Sequence, residues 1–163
     1  MRHSALAVLA ALLALGGCGP KDEPVMPQAG GALPADTGGG EVSPEQAKAM
    51  LASLPAPYSG GDVENGKRKS GLCRSCHSFT PGGPNMTGPN LHGVVGQKAA
   101  HHPGYSYSDP LKSSGLTWDA PTLDKWLENP RTLVPGNKMT FAGLKSPQDR
   151  IDVIAYLRTQ AKS

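Results

Sequence analysis

Cys73-Arg74-Ser75-Cys76-His77 decides the reading of this chain. Two thiols three apart on one helical turn can both add to the two vinyl groups of a haem. The next residue then points its imidazole at the iron from the same side, which is the physical content of a c-type haem attachment site. Three other chemistries use paired cysteines. A thioredoxin-like redox pair belongs in a βαβ setting, and no parallel-strand pattern occurs here. A zinc site needs a second ligand pair, and only His92, His101 and His102 are at hand. A disulfide across two intervening residues adds little stability.

The sequence downstream fits a wrapped cofactor. Between His77 and Trp118 lie about 40 residues rich in Gly and Pro, with no helix or strand pattern. A structureless loop of that length argues against a compact domain unless it encloses something other than protein. Composition agrees: Gly 21 and Pro 16 are high counts, aromatics are 5% and hydrophobics 37%. A flat apolar cofactor would supply the missing core. Electron transfer without chemistry at the metal needs a second iron ligand. Met86, Met139, His92, His101, His102 and several lysines are available. Met86 is only nine residues past His77, too close to cross to the opposite face. Met139 follows the turn Val134-Pro135-Gly136-Asn137-Lys138, and loop chemistry favours it without excluding core filling, the commoner use of Met.

The N-terminus reads as an address. Arg2 and His3 precede the apolar run 5–15, too short to span a membrane and suited to a secretory signal peptide over residues 1–17. Leu15-Gly16-Gly17-Cys18 resembles the lipobox of bacterial lipoproteins, in which the cysteine is lipidated and begins the mature chain. Ordinary cleavage or an uncleaved anchor is the alternative. Residues 18–59 are Pro/Gly/Ala-rich and read as a lipid-anchored tether. Ser43-Pro44-Glu45-Gln46 starts a short helix near 44–54, stopped by Pro55 and Pro57. The third cysteine is thereby explained apart from the other two.

Residues 61–161 closely resemble class I cytochrome c of the mitochondrial and alphaproteobacterial type. The resemblance rests on Gly61-Asp62-Val63-Glu64-Asn65-Gly66-Lys67, the haem motif, Thr87-Gly88-Pro89-Asn90-Leu91-His92-Gly93 and Pro103-Gly104-Tyr105-Ser106-Tyr107-Ser108. It continues through Gly115-Leu116-Thr117-Trp118, Trp126-Leu127-Glu128-Asn129-Pro130, Pro135-Gly136-Asn137-Lys138-Met139-Thr140-Phe141-Ala142-Gly143 and Ile154-Ala155-Tyr156-Leu157. It implies an all-α fold, a few helices and long loops around one covalently bound haem c, in a domain of residues 60–163. Cys73 and Cys76 would carry the thioethers, His77 the proximal and Met139 the distal iron bond. The Pro89 carbonyl would accept from the His77 ring, and Tyr107 and Trp118 would donate to a haem propionate. Four departures stand out: Gln97 where a cation is usual, Leu111 for a haem-facing Asn, Trp126 for a Tyr near the Met ligand, and a first helix that lacks its aromatic contact residue.

Caps and periodicity place helices from Asp62 into Cys73, from about Ala120 to Asn129, and from Ser146 onward, where Ile151, Ile154, Ala155 and Leu157 or Arg158 share a face. Gly66 would let the first and last cross closely. The whole chain's formal net charge of +3 is too small to argue for nucleic-acid binding, and residues 60–163 carry 13 Lys/Arg against 8 Asp/Glu, a net of +5. If the resemblance holds, Lys67, Lys69, Arg131, Lys138 and Lys145 ring the exposed haem edge and steer acidic redox partners. The expected molecule is a monomeric, non-enzymatic single-electron carrier on the periplasmic side of a bacterial membrane. Its donor would be a cytochrome bc1-type complex and its acceptor a terminal oxidase. A monohaem peroxidase or gas-binding protein, or a fixed subunit of a larger oxidoreductase, is the rival.

Overall fold

The computed structural model describes residues 42–160. The expected signal peptide, Cys18 and residues 19–41 of the expected tether lie outside them. Within them the chain forms α1 (Pro44–Leu51), α2 (Val63–Lys69), α3 (Gly71–Arg74), α4 (Asp109–Ser113), α5 (Ala120–Glu128), α6 (Pro130–Leu133) and α7 (Pro147–Thr159), plus a single 3-10 turn at Tyr58–Gly60. No β-strand occurs among the described residues. One antiparallel bridge, Lys98 to Thr117, pins the two ends of the loop between them.

Helix α7 is the axis of the fold. Val153, Ile154, Ala155, Tyr156 and Leu157 are all buried, and α2, α5, α1 and the Tyr58 turn pack around it. Its polar residues go inside as well, because other elements satisfy them. The Asp152 carboxylate accepts from the Asp62 N–H (2.9 Å), Asn65 Nδ2 (2.6 Å) and Gln148 Nε2 (2.7 Å). Arg150 donates to Asp124 (2.8 Å) and to the Leu144 carbonyl (2.9 Å). Buried charges persist only when paired this fully. The single apolar face read from the sequence is therefore too narrow.

The α2–α7 crossing needs Gly66. A Cβ there would overlap the Asp152 carbonyl and lie 2.9 Å from Tyr156 Cβ. The missing aromatic of the first helix is made good from elsewhere. Phe79 stacks obliquely on Tyr156 (5.9 Å between ring centres), Arg74 lies over Phe79 (4.8 Å), and its guanidinium donates to the Tyr156 hydroxyl (2.7 Å). This cluster ties the haem motif to α7.

The single helix expected from Asp62 into Cys73 is two, jointed at Ser70. Packing against α7 begins before Gly60. Leu51 and Tyr58 are buried, and Arg158 Nε donates to Ser53 Oγ (3.1 Å). The folded body thus takes in α1 and the turn after it. The capping box at Ser43 is complete in both directions, with Ser43 N–H to Gln46 Oε1 (2.8 Å) and Gln46 N–H to Ser43 Oγ (3.2 Å).

Candidate haem site

One deep, largely apolar cavity opens between α3, the 87–91 loop, α5, α7 and the loop after α6. Cys73, Cys76, His77 and Met139 all line it, although Met139 lies 62 positions after His77. The helical turn that ends α3 wraps the motif, with Cys76 and His77 N–H groups donating to the Cys73 carbonyl (3.0 and 2.9 Å). Both thiols are free, and burial pushes the Cys73 thiol up from its ordinary value.

His77 is held in one orientation. Its Nδ1 lies 2.7 Å from the Pro89 carbonyl, which can only accept, so the proton sits on Nδ1 and Nε2 keeps its lone pair. Burial lowers the His77 pKa and the Pro89 bond opposes it, the former prevailing. Burial thus favours the neutral ring, the form that binds a metal. Gly88 permits this approach, since a Cβ there would collide with the imidazole. The loop is fixed in turn by Gly88 N–H to the Cys76 carbonyl (2.8 Å).

Met139 is presented by Asn137. That amide donates to the carbonyls of Pro130 (2.9 Å) and Val134 (2.8 Å) and accepts the Met139 N–H (2.8 Å). Gly136 turns the chain at φ +79°, where other residues are strained. The half-buried thioether then joins the cavity wall.

The wall between these ends is made by Trp118 and Trp126, 5.1 Å apart at 58°, with Leu111, Leu123, Leu127 and Leu157. Leu111 is buried on this wall. Tyr107 lies on the lining, and its hydroxyl oxygen accepts the His102 N–H (3.3 Å), leaving the hydroxyl hydrogen to spend. Ser108 and His101 also line the cavity; the sequence offers His101 only as one of several possible second iron ligands and gives Ser108 no role of its own. The Ser108 hydroxyl is buried without a hydrogen-bond partner, beside Tyr107 and on the same cavity. Polar groups so placed normally have one. Nothing local in the sequence places either residue on the cavity wall, because their inward placement depends on how the loop closes.

These features fit a c-type haem: two thiols for the vinyl groups, a neutral imidazole and a thioether for the iron, an apolar slot, and orphan donors for carboxylates. Of the five basic residues expected at the rim, only Lys138 lines the cavity, and its ammonium donates to the Ser106 carbonyl (3.0 Å). Lys69 is paired with Asp149 (2.9 Å), and Lys145 donates to the Glu128 carbonyl (3.4 Å). Arg131 is exposed on α6 and Lys67 half-exposed on α2.

Comparison with known proteins converges on one family. No family model matches the chain. Cytochrome c2 of Rhodomicrobium vannielii is 51% identical over 112 residues, 69% of this chain and 90% of that protein. Cytochrome c of Dictyostelium discoideum is 48% identical over 106 residues, 63% of this chain and 94% of that one. Among solved structures, cytochrome cH from Methylobacterium extorquens superposes with a TM-score of 0.58 at 47% identity, covering 61% of this chain and 99% of its own. With relatives this similar over nearly their whole length, and a cavity made for the same cofactor, the chain belongs to the class I cytochromes c: all-α electron carriers, not enzymes, each bearing one covalently attached c-type haem.

Proposed function

We propose that Cys73 and Cys76 bind the haem covalently and that His77 and Met139 are its axial ligands in a carrier working between two membrane redox complexes. The convergence of the neutral, Pro89-oriented His77 and the Asn137-presented Met139 on one cavity carries this reading. When bound, the haem supplies a one-electron Fe(III)/Fe(II) couple, with Met/His ligation raising its potential. The chain's own residues do the rest. The Cys73 and Cys76 thiols would hold the haem through its two vinyl groups, His77 keeps its proton on Nδ1, and the leucines and Trp118 and Trp126 exclude water. Tyr107, Trp118 and Ser108 would donate to its carboxylates.

The same reading makes a cytochrome bc1-type complex the donor and a terminal oxidase the acceptor. Docking runs through the cavity rim at Lys138 and the outlying Lys67, Lys69, Arg131 and Lys145. The apolar run 5–15 and the lipobox-like Leu15-Gly16-Gly17-Cys18 support export and anchoring by lipidated Cys18 on the periplasmic side of the cytoplasmic membrane, as a monomer. Among the described residues no helix is long and apolar enough to cross a membrane.

Optical spectra of the oxidised and reduced protein, produced with a haem-maturation system, test the ligand assignment. A six-coordinate low-spin spectrum with a far-red sulfur–iron band, lost in Met139→Ala, is expected. A five-coordinate spectrum indifferent to Met139 overturns it and favours peroxide or gas chemistry. Intact mass of the mature N-terminus decides the anchor: a diacylglycerol-modified Cys18 is expected, and an unmodified residue refutes it.

A further inference from the structure

We propose that His101 is a proton-binding partner of the haem carboxylates, so that the reduction potential of this chain falls as pH rises through the His101 titration. The inference rests on the haem reading above. Once the two cysteines and two iron ligands are assigned, the cavity lining holds only two side chains able to carry positive charge, His101 and Lys138, and no Asp, Glu or Arg. Lys138 is exposed and its ammonium is engaged by the Ser106 carbonyl (3.0 Å) and Oγ (3.3 Å). Gln97 is exposed and outside the lining. A haem brings two carboxylates, and charge taken from water demands a cation or several donors. In the cavity wall, the one cation that can be switched on and off is His101.

Its geometry assigns the titrating nitrogen. His101 Nδ1 lies 3.0 Å from the Lys98 carbonyl, which only accepts, so Nδ1 carries a proton throughout. Nε2 is the atom that gains and loses one. The ring is held by more than this bond. Ala100 takes a left-handed φ of 59°, a conformation costly for a residue with a Cβ. The turn is pinned by the Lys98–Thr117 bridge and by Ala99 N–H to the Leu116 carbonyl (2.8 Å).

The titratable neighbours are few. His102 stacks at 5.4 Å, and its backbone N–H reaches the Tyr107 hydroxyl, which forms an edge-on pair with Tyr105. Lys98 shares the loop. From α4, Asp109 is occupied by Lys112 (2.6 Å). From beyond α6 comes Lys138, and from the end of α3, His77. The faces that α5 and α7 turn to the cavity, Leu123, Trp126, Leu127, Val153 and Leu157, carry no titratable group. Burial holds the His101 pKa down, with His102 adding to it and the Lys98 carbonyl opposing. A carboxylate partner acts in the opposite direction and returns the ring to the range where pH changes its charge.

The sign follows from linkage. Ferrous iron carries one positive charge fewer than ferric, so Nε2 holds its proton more tightly in the reduced protein. At low pH His101 is charged in both states and the potential is high. At high pH it is neutral in both and the potential is lower. Between the two titrations His101 takes up part of a proton from solvent for each electron accepted, no other bond changing. Every tenfold difference in proton affinity lowers the midpoint by 59 mV across the step.

The test is spectroelectrochemical titration of the full haem-loaded chain from about pH 5 to 9, for wild type, His101→Gln and His102→Gln. A single falling step is expected in wild type and His102→Gln and a flat profile in His101→Gln. NMR of the His101 ring should show a higher titration midpoint in the ferrous than in the ferric protein. The same step in His101→Gln, or identical His101 midpoints in both iron states, overturns the proposal. The optical spectrum of each sample separates this failure from the other: without a low-spin, Met-ligated haem, the site assignment itself falls.

Discussion

Gly66→Ala puts the α2–α7 crossing to a quantitative test. In an ordinary helix the change is favourable by about 1 kcal/mol. Here the added Cβ meets the Asp152 carbonyl, which is backbone and cannot rotate away, and crowds Tyr156 Cβ at 2.9 Å. Overpacking of this kind costs about 1–3 kcal/mol, with a rigid neighbour at the upper end. Pushing α2 off α7 also stretches the Asp152 bonds to Asp62 and Asn65, now 2.9 and 2.6 Å. Hydrogen bonds to a charged group contribute about 1.5–3 kcal/mol each, and a partial loss of two adds roughly 1–2 kcal/mol. Net of propensity, the variant should be less stable by about 2–4 kcal/mol, a large share of the 5–15 kcal/mol typical of a domain. Guanidinium unfolding of the haem-loaded protein, followed by circular dichroism, measures it. Gly71→Ala is the control, since nothing lies within 4 Å of a Cβ at that first residue of α3. A Gly66→Ala variant as stable as wild type would refute the close crossing as the reason for glycine.

Asn137→Ala removes three hydrogen bonds from the turn that presents Met139. The far-red band should be lost at a lower temperature while the haem stays attached, and an unchanged melting of that band would count against Asn137 as the positioning residue. Ser70 Oγ is buried without a partner at the α2–α3 joint, so Ser70→Ala should leave denaturant stability unchanged or raise it by up to about 1 kcal/mol; a loss beyond that would mean the hydroxyl has a partner. The Lys69 ammonium holds the Asp149 carboxyl below its usual range, with Asn65 assisting against a desolvation effect. A depressed acid contributes stability above its unfolded pKa and loses it as pH falls through the folded one. The stability gap between wild type and Lys69→Gln should therefore be present at neutral pH and vanish in acid, and shrink with salt; a gap independent of pH would contradict the pairing.

The haem motif ending in His77 and the turn before Met139 were legible because short motifs and loop chemistry carry them, whereas the Pro89 contact came only with the family resemblance. Also legible were α1, α5 and the start of α7, where Ser43, Asp119 and Ser146 cap the first turn and a Pro opens it. Helices α4 and α6 were not, being five and four residues long, below the length at which periodicity speaks. Asn129 illustrates the difficulty. It ends α5 in extended conformation and also caps α6, its side chain accepting from Arg131 and Thr132. Reading only its first role leaves α6 hidden. Along α7 the pattern misled because Arg150 and Asp152 look solvent-bound until Asp124, Asp62 and Asn65 arrive from other elements. The burial of Leu51 and Tyr58 was hidden for a related reason: polar and Pro-rich flanks mask both residues, and α7 decides their burial. Ser108 and His101 reach the cavity only through tertiary closure of a loop.

The docking of α1 on α7 also sets how the molecule carries mechanical load. Any pull arriving along the chain from before Ser43 meets Leu51, the Ser53–Arg158 bond and buried Tyr58 before it meets α2. Those contacts act as a cable clamp. They pass tension into α7, the most deeply embedded element, and shield the α2–α3 segment that carries Cys73. Force applied from the N-terminal side is thus taken in a helix rather than at the cavity that holds Cys73. Stretched from its N-terminus in a single-molecule experiment, it should yield first at α1, with the haem band intact.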